Sequence, residues 1–117
     1  MTIRRRPYAD PDLPRLQAAL AGWRRDAGPC GYCHPGDLAF RIYEELRGRR
    51  PAGELVQVWE DGREVAGVAV CLRFGWAFDV FASPALRGTG AELAMLRSAH
   101  DTTRRHLAGT GPATAGS

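Results

Sequence analysis

Two stretches of this 117-residue chain carry residue types at spacings that could do chemistry. The first is Pro84-Ala85-Leu86-Arg87-Gly88-Thr89-Gly90, set between an apolar run ending at Ala82 and a helical pattern that starts near Ala91. A Gly-containing turn ahead of a helix leaves backbone N–H groups unpaired at the positive end of the helix dipole. Glycine lets an anion approach that backbone closely, so a phosphate suits the place. Arg87 adds a positive charge on a long side chain. The same residues also make an ordinary turn. Their spacing fits neither the dinucleotide fingerprint nor the ATP-type phosphate loop, because no Gly-Lys-Ser/Thr follows.

The second stretch is Cys30-Gly31-Tyr32-Cys33-His34. As a pattern it matches c-type haem attachment, in which two thiols bond the porphyrin and His ligates iron. It also offers three zinc ligands, with a fourth from His100, His106 or Cys71, or a redox Cys-x-x-Cys. The remaining reading is a turn between two helices with partly buried thiols, and no metal is assigned. Haem attachment needs export, which the N-terminus does not signal, and zinc lacks a second ligand pair. Asp79 sits between Phe78 and Val80 in an apolar run. It is either a general base for an amine or a residue on the solvent face of an alternating strand. Trp23, Trp59 and Trp76 read as core anchors, and His100 and His106 as structural or exposed.

Elements legible in the sequence must position these residues. Residues 2–8 read as a short basic strand, with Pro7 pointing to an edge or strand end. Asp10-Pro11-Asp12-Leu13-Pro14 interleaves acids with prolines and reads as a helix start capped by Asp. Leu13, Leu16, Leu20 and Trp23 form a helical stripe, and Gly28 stops it. A second helix is predicted over 37–47, with Leu38, Ile42 and Leu46 on one face and Gly48 beyond it. The Pro/Gly-rich stretch 29–36 between them reads as a loop.

The period then changes. Residues 54–60 read as a strand, Asp61-Gly62 as a hairpin turn and 64–72 as the returning strand. The small Ala66, Gly67 and Ala69 predict that something packs closely on it. Gly75 marks a second turn, and 76–82 completes a three-strand meander. A final helix is predicted over 91–107, where Leu93, Leu96 (beside Met95), His100, Thr103 and Leu107 recur at helical spacing. Residues 108–117 are only Ala, Gly, Thr, Pro and Ser and read as a flexible tail. The order predicts an α+β fold with a mostly antiparallel sheet: strand, two helices, three-strand meander, helix.

Composition narrows the classes further. With 44% hydrophobic and 25% charged residues, disorder throughout is excluded. No run of eighteen apolar residues exists, which excludes a membrane-spanning helix. The basic N-terminus has no apolar stretch behind it, so the sequence predicts no secretory signal and a cytoplasmic location. All sixteen basic residues are Arg, with Lys and Asn absent, a bias that points to GC-rich bacterial coding. The arginines interleave with acids, as in Arg24-Arg25-Asp26 and Arg63-Glu64. The formal charge of +3 therefore predicts solvated arginines and no nucleic-acid partner.

The 84–90 segment, following a meander and opening a helix, resembles the acyl-CoA loop of the GCN5-related N-acetyltransferase family. That family typically shows Pro-x-x-Arg-Gly-x-Gly-x-Gly/Ala at the end of its fourth strand. The opening from Ile3-Arg4, with Asp12-Leu13 ahead of the first helix, is similar to the family's usual start, and the order of elements matches over about 2–107. The resemblance implies an acyl-CoA N-acyltransferase-like fold in one domain over 1–107. It implies acetyl-CoA as co-substrate and a small-molecule or peptide amine as acceptor. Backbone N–H groups of Leu86, Arg87, Gly88, Thr89, Gly90 and Ala91 would bind the CoA pyrophosphate. Backbone of Val80, Phe81 and Ala82 would pair with the pantetheine arm, and Tyr32, His34 or Asp37 would touch the acceptor.

The sequence departs from the family pattern twice. Glu92 stands where a third small residue belongs, which sets a carboxylate near the phosphates unless it points away or caps the helix. Beyond the last helix the family continues with strand, helix and strand, roughly 35 to 45 residues at usual lengths. Only the ten-residue tail stands there. The expectation is an N-acetyltransferase-like domain lacking that C-terminal strand-helix-strand. It would be either an enzyme or a non-catalytic interaction module, with a small zinc or redox protein built on Cys30, Cys33 and His34 as the third reading. Without a following strand, the 76–82 edge is predicted to pair with a second copy or a partner chain.

Overall fold

The computed structural model describes residues 2–44 and 52–110, with side chains to residue 107. Strands β1 (Ile3–Pro7), β2 (Val56–Asp61), β3 (Glu64–Arg73) and β4 (Ala77–Ala82) form one antiparallel sheet in the order β1-β2-β3-β4. The helices are α1 (Leu13–Ala27), α2 (Pro35–Tyr43), the single turn α3 (Ala52–Leu55) and α4 (Gly90–Thr110). Neighbouring β1 residues reveal the layers. Arg6 reaches Asp12 at the start of α1, whereas Arg5 reaches Ser98 on α4. Successive strand side chains point to opposite faces, so α1 and α4 lie on opposite sides of the sheet. β3 is consequently buried on both faces from Ala66 to Leu72.

Local chemistry explains most boundaries. The α1 stripe buries Leu16, Leu20 and Trp23, and Gly28 ends the helix at φ +86 with its N–H on Arg24 O. Asp12 stands at the N-cap position without capping α1. Its carboxylate instead accepts Ala9 N–H at 2.8 Å and two Arg6 bonds at 2.7 Å. Helix α2 starts at Pro35, earlier than predicted, because the His34 ring Nδ1 accepts Gly36 N–H at 3.0 Å as its cap. Leu38 and Ile42 are buried as expected; Leu46, Arg47 and Gly48 lie outside the described residues. Glu54 and Leu55, predicted as strand, form the α3 turn, and β2 begins at Val56. The hairpin turn is Gly62-Arg63, since Asp61 pairs with Glu64; Gly62 supplies the left-handed φ of +64.

Two expectations about apolar residues fail. Trp23 and Trp59 are core residues, but Trp76 is 69% exposed beside the β3–β4 turn. On α4 the buried residues are Met95, Ala99, Thr102 and Thr103, whereas Leu93, Leu96, His100 and Leu107 face outward. The reason is close packing. A Cβ on Gly67 would lie 2.6 Å from Met95 Sδ, so α4 approaches β3 too closely for leucines. Its hydroxyls also serve the sheet: Thr102 accepts from Gln57 Nε2 at 2.6 Å and Thr103 from Leu72 N–H at 3.2 Å. The helix runs on to Thr110, three residues into the stretch read as tail.

Candidate functional site

The turn between β4 and α4 is built from its backbone outward. Pro84–Leu86 form a 3-10 turn in which Leu86 N–H bonds Ser83 O (2.9 Å) and Arg87 N–H bonds Pro84 O (3.3 Å). Thr89 N–H bonds Leu86 O at 3.1 Å, and the Thr89 hydroxyl donates to the same carbonyl. Gly88 adopts φ +79, which turns its N–H outward. That N–H is held by the Glu92 carboxylate, Oε1 at 2.8 Å. Glu92 thus caps the turn. Of the six N–H groups expected to bind pyrophosphate, Leu86, Arg87 and Thr89 close the turn itself and Gly88 holds a carboxylate. Gly90 and Ala91 open α4, where the first N–H groups of a helix have no intrahelical acceptor.

Tyr32 ties the 28–34 loop to this turn. Its hydroxyl donates to Ala82 O at 2.6 Å, its ring packs on Trp23 at 5.7 Å, and the Arg87 guanidinium lies 5.0 Å from the ring centroid. Burial pushes its phenol up, and Arg87 opposes that rise. Gly31 leaves room for the same guanidinium, since a Cβ there would meet Arg87 Nη2 at 2.8 Å. Arg87 therefore rests over Tyr32 with Nη1 3.4 Å from Cys30 O. Of the three expected acceptor contacts, Tyr32 joins the turn, whereas His34 and Asp37 sit exposed at the start of α2.

β4 closes the sheet on this side. Ser83 N–H bonds Ala66 O across to β3, so by antiparallel alternation Val80 and Ala82 turn their backbone groups to the open edge. The Ala82 carbonyl is already taken by Tyr32, and Phe81 faces β3. Asp79 is half-buried and faces α2. Its Oδ2 accepts from Arg41 Nη1 at 2.9 Å and from Arg73 Nη1 across the hairpin. The expected solvent-facing carboxylate is thus clamped by two arginines. Arg73 shares the hairpin with Asp79, but nothing in the sequence announces Arg41. A cavity of about 380 Å3 lies under the turn, between Trp23 and Pro84–Leu86, and carries the carboxylates of Asp26, Asp61 and Glu64. Its negative lining disfavours an anion on that side of the turn.

The Cys30/Cys33/His34 motif does not assemble. Cys30 is exposed and Cys33 buried, both free, and the His34 ring is committed to capping α2. Burial raises the Cys33 thiol and pushes Cys71 up to about 11, away from the thiolate that metal or redox chemistry needs. Among the described residues no three His, Cys, Asp or Glu side chains gather as a metal site, which removes the zinc set with His100, His106 or Cys71.

No protein-family model matches the chain, and no curated protein matches it by sequence. The arrangement of elements is nevertheless that of a solved structure, a GCN5-related N-acetyltransferase from Sphaerobacter thermophilus. It aligns over 90% of this chain with a TM-score of 0.65 at 16% sequence identity. The fold is acyl-CoA N-acyltransferase-like. This chain spans 33% of that protein's length. Among the described residues no helix is long and apolar enough to cross a membrane.

Proposed function

We propose that this domain takes acetyl-CoA at the β4–α4 turn and transfers the acetyl group to an amine. One observation carries the reading: the outward N–H of Gly88 already holds an anion, the Glu92 carboxylate, where a CoA phosphate belongs. Gly88, Gly90 and Ala91 would supply N–H groups to the pyrophosphate once Glu92 swings away. The outward backbone of Val80 would pair with the pantetheine amide. The amine nitrogen attacks the thioester carbonyl and its proton passes to Asp79 Oδ1, the oxygen that neither arginine bond engages. As the C–S bond breaks the proton is handed on to the departing sulfur, so that CoA leaves as the thiol and Asp79 is again a carboxylate. Calorimetric titration with acetyl-CoA is the test. Micromolar binding, lost in Gly88→Glu with an unchanged circular dichroism spectrum, supports the site; no heat in the native chain removes it. An amine-dependent release of free thiol then separates an enzyme from a binding module.

A second reading, an interaction module, rests on the open β4 edge with Trp76 exposed and Phe78 and Val80 half-buried beside it. A second copy pairing there would appear as a dimer in sedimentation velocity at micromolar concentration. Val80→Pro keeps the β3 ladder, because the Val80 N–H points away from it, and should return the monomer. A monomer in the native chain counts against this reading.

A further inference from the structure

At the sheet edge opposite the turn, β1 and α4 enclose an open groove of about 760 Å3. Its lining brings Arg5 together with Arg97, Arg104 and Arg105, against the single carboxylate of Asp101. That imbalance equals the formal +3 of the whole chain, so the remaining charged residues of the sequence sum to zero. Arg6 and Arg15 pair with Glu60, and Arg41 and Arg73 with Asp79. Among the described residues the four groove arginines make no such pair, and they stand together. Asp101 lies 3.6 Å from His100 and makes no ion pair with the four arginines. Asp101 stands four residues before Arg105, the favourable order for a helical pair, yet Arg105 bonds the Thr102 hydroxyl instead. Arg5 and Arg105 donate only to hydroxyls, those of Ser98 and Thr102, and Arg97 and Arg104 have no ion-pair partner among the described residues.

We propose that this groove binds an oligophosphate, a run of contiguous phosphates either inorganic or carried by a nucleotide. Four guanidinium forks converging on one cleft match phosphate oxygens in pairs, which a point-charge ammonium does not. The volume is in the range of small-ligand sites. Arg97 and Arg104 are seven residues apart, about 10 Å along the helix, so their long side chains can close on two or three successive phosphates. No aromatic side chain lines the groove, so it lacks the stacking platform of a single-strand nucleic-acid binder. It stands three strands away from β4 and is separate from the acyl-CoA site.

The test is calorimetry of the full chain with tripolyphosphate and with ATP at about 50 mM salt. One ligand per chain is expected, weakened at least tenfold in Arg97→Ala/Arg104→Ala and within twofold of native in Arg25→Ala, an exposed arginine of α1. These groups are exposed, so the variants should fold, and circular dichroism checks it. Equal affinities would assign recognition to the phosphates alone, and tighter ATP would assign it to a nucleotide; both support the groove. No saturable binding, an equal loss in Arg25→Ala, or binding of a duplex oligonucleotide without tripolyphosphate would overturn it.

Discussion

Replacing Glu92 tests the acyl-CoA reading most directly, because this carboxylate is both a cap and a competitor. Its Oε1 sits 2.8 Å from Gly88 N, so a phosphate taking that N–H would lie roughly 5 Å from the displaced carboxylate. At water-like dielectric two unit charges at that distance repel by about 0.8 kcal/mol, and a doubly charged pyrophosphate by about twice that. Screening at about 0.1 M salt leaves roughly 1 kcal/mol. Breaking the existing Gly88–Glu92 hydrogen bond costs about 0.5–1 kcal/mol more. Glu92→Ala should therefore tighten CoA binding by roughly 10- to 30-fold, measured by calorimetry. Glu92→Gln, which keeps a hydrogen-bonding side chain without the charge, should give about 5-fold, and that gain should shrink as salt rises. The same Ala variant should lose about 0.5–1 kcal/mol of unfolding free energy in urea, since the turn loses its cap. Weaker CoA binding in Glu92→Ala would refute the reasoning, for it would show the carboxylate supporting the ligand's site rather than filling it.

Three further outcomes are expected. Gly67→Ala should destabilise the domain by about 1–3 kcal/mol in urea denaturation, because the new methyl meets the buried Met95 thioether; Met95→Ala in the same chain should recover part of that loss. Tyr32→Phe should cost about 1–2 kcal/mol by leaving the buried Ala82 carbonyl unpaired, and an unchanged urea midpoint would contradict the bond. Arg6 hydrogen bonds hold Asp12 and Glu60 below their ordinary 3.8 and 4.5, so these carboxylates contribute stability that is fully present above those values. It is lost as pH falls through the lowered native values, and Arg6→Ala should flatten that acid limb of a stability–pH curve.

The sequence shows the α1 stripe, Gly28 as its stop and the meander, because each depends on neighbours within one element or turn; the small Ala66, Gly67 and Ala69 announce a close approach but not its partner. It misleads on α4, where hydrophobicity selects Leu93 and Leu96 while the sheet accepts only Met95, Ala99 and two threonines. The deciding partner, Gly67, lies some thirty residues away and offers no space. The Glu92 cap was one of the options its position allowed, since a carboxylate four residues past a left-handed glycine can reach back. The arginine groove is invisible along the chain. Arg5 and Arg105 are a hundred residues apart, and local interleaving with acids pointed to scattered, solvated arginines rather than to a cluster.

The pairing of β1 with β2 sets an order of assembly. The β2–β3–β4 meander closes through turns of two or three residues, whereas β1 finds its partner across about fifty residues that include α1 and α2. The meander with α4 should form in the transition state and β1 should dock after it. Substitutions in β1, such as Ile3→Ala, should then speed unfolding while leaving the folding rate nearly unchanged, and the reverse should hold for Val68→Ala at the centre of β3.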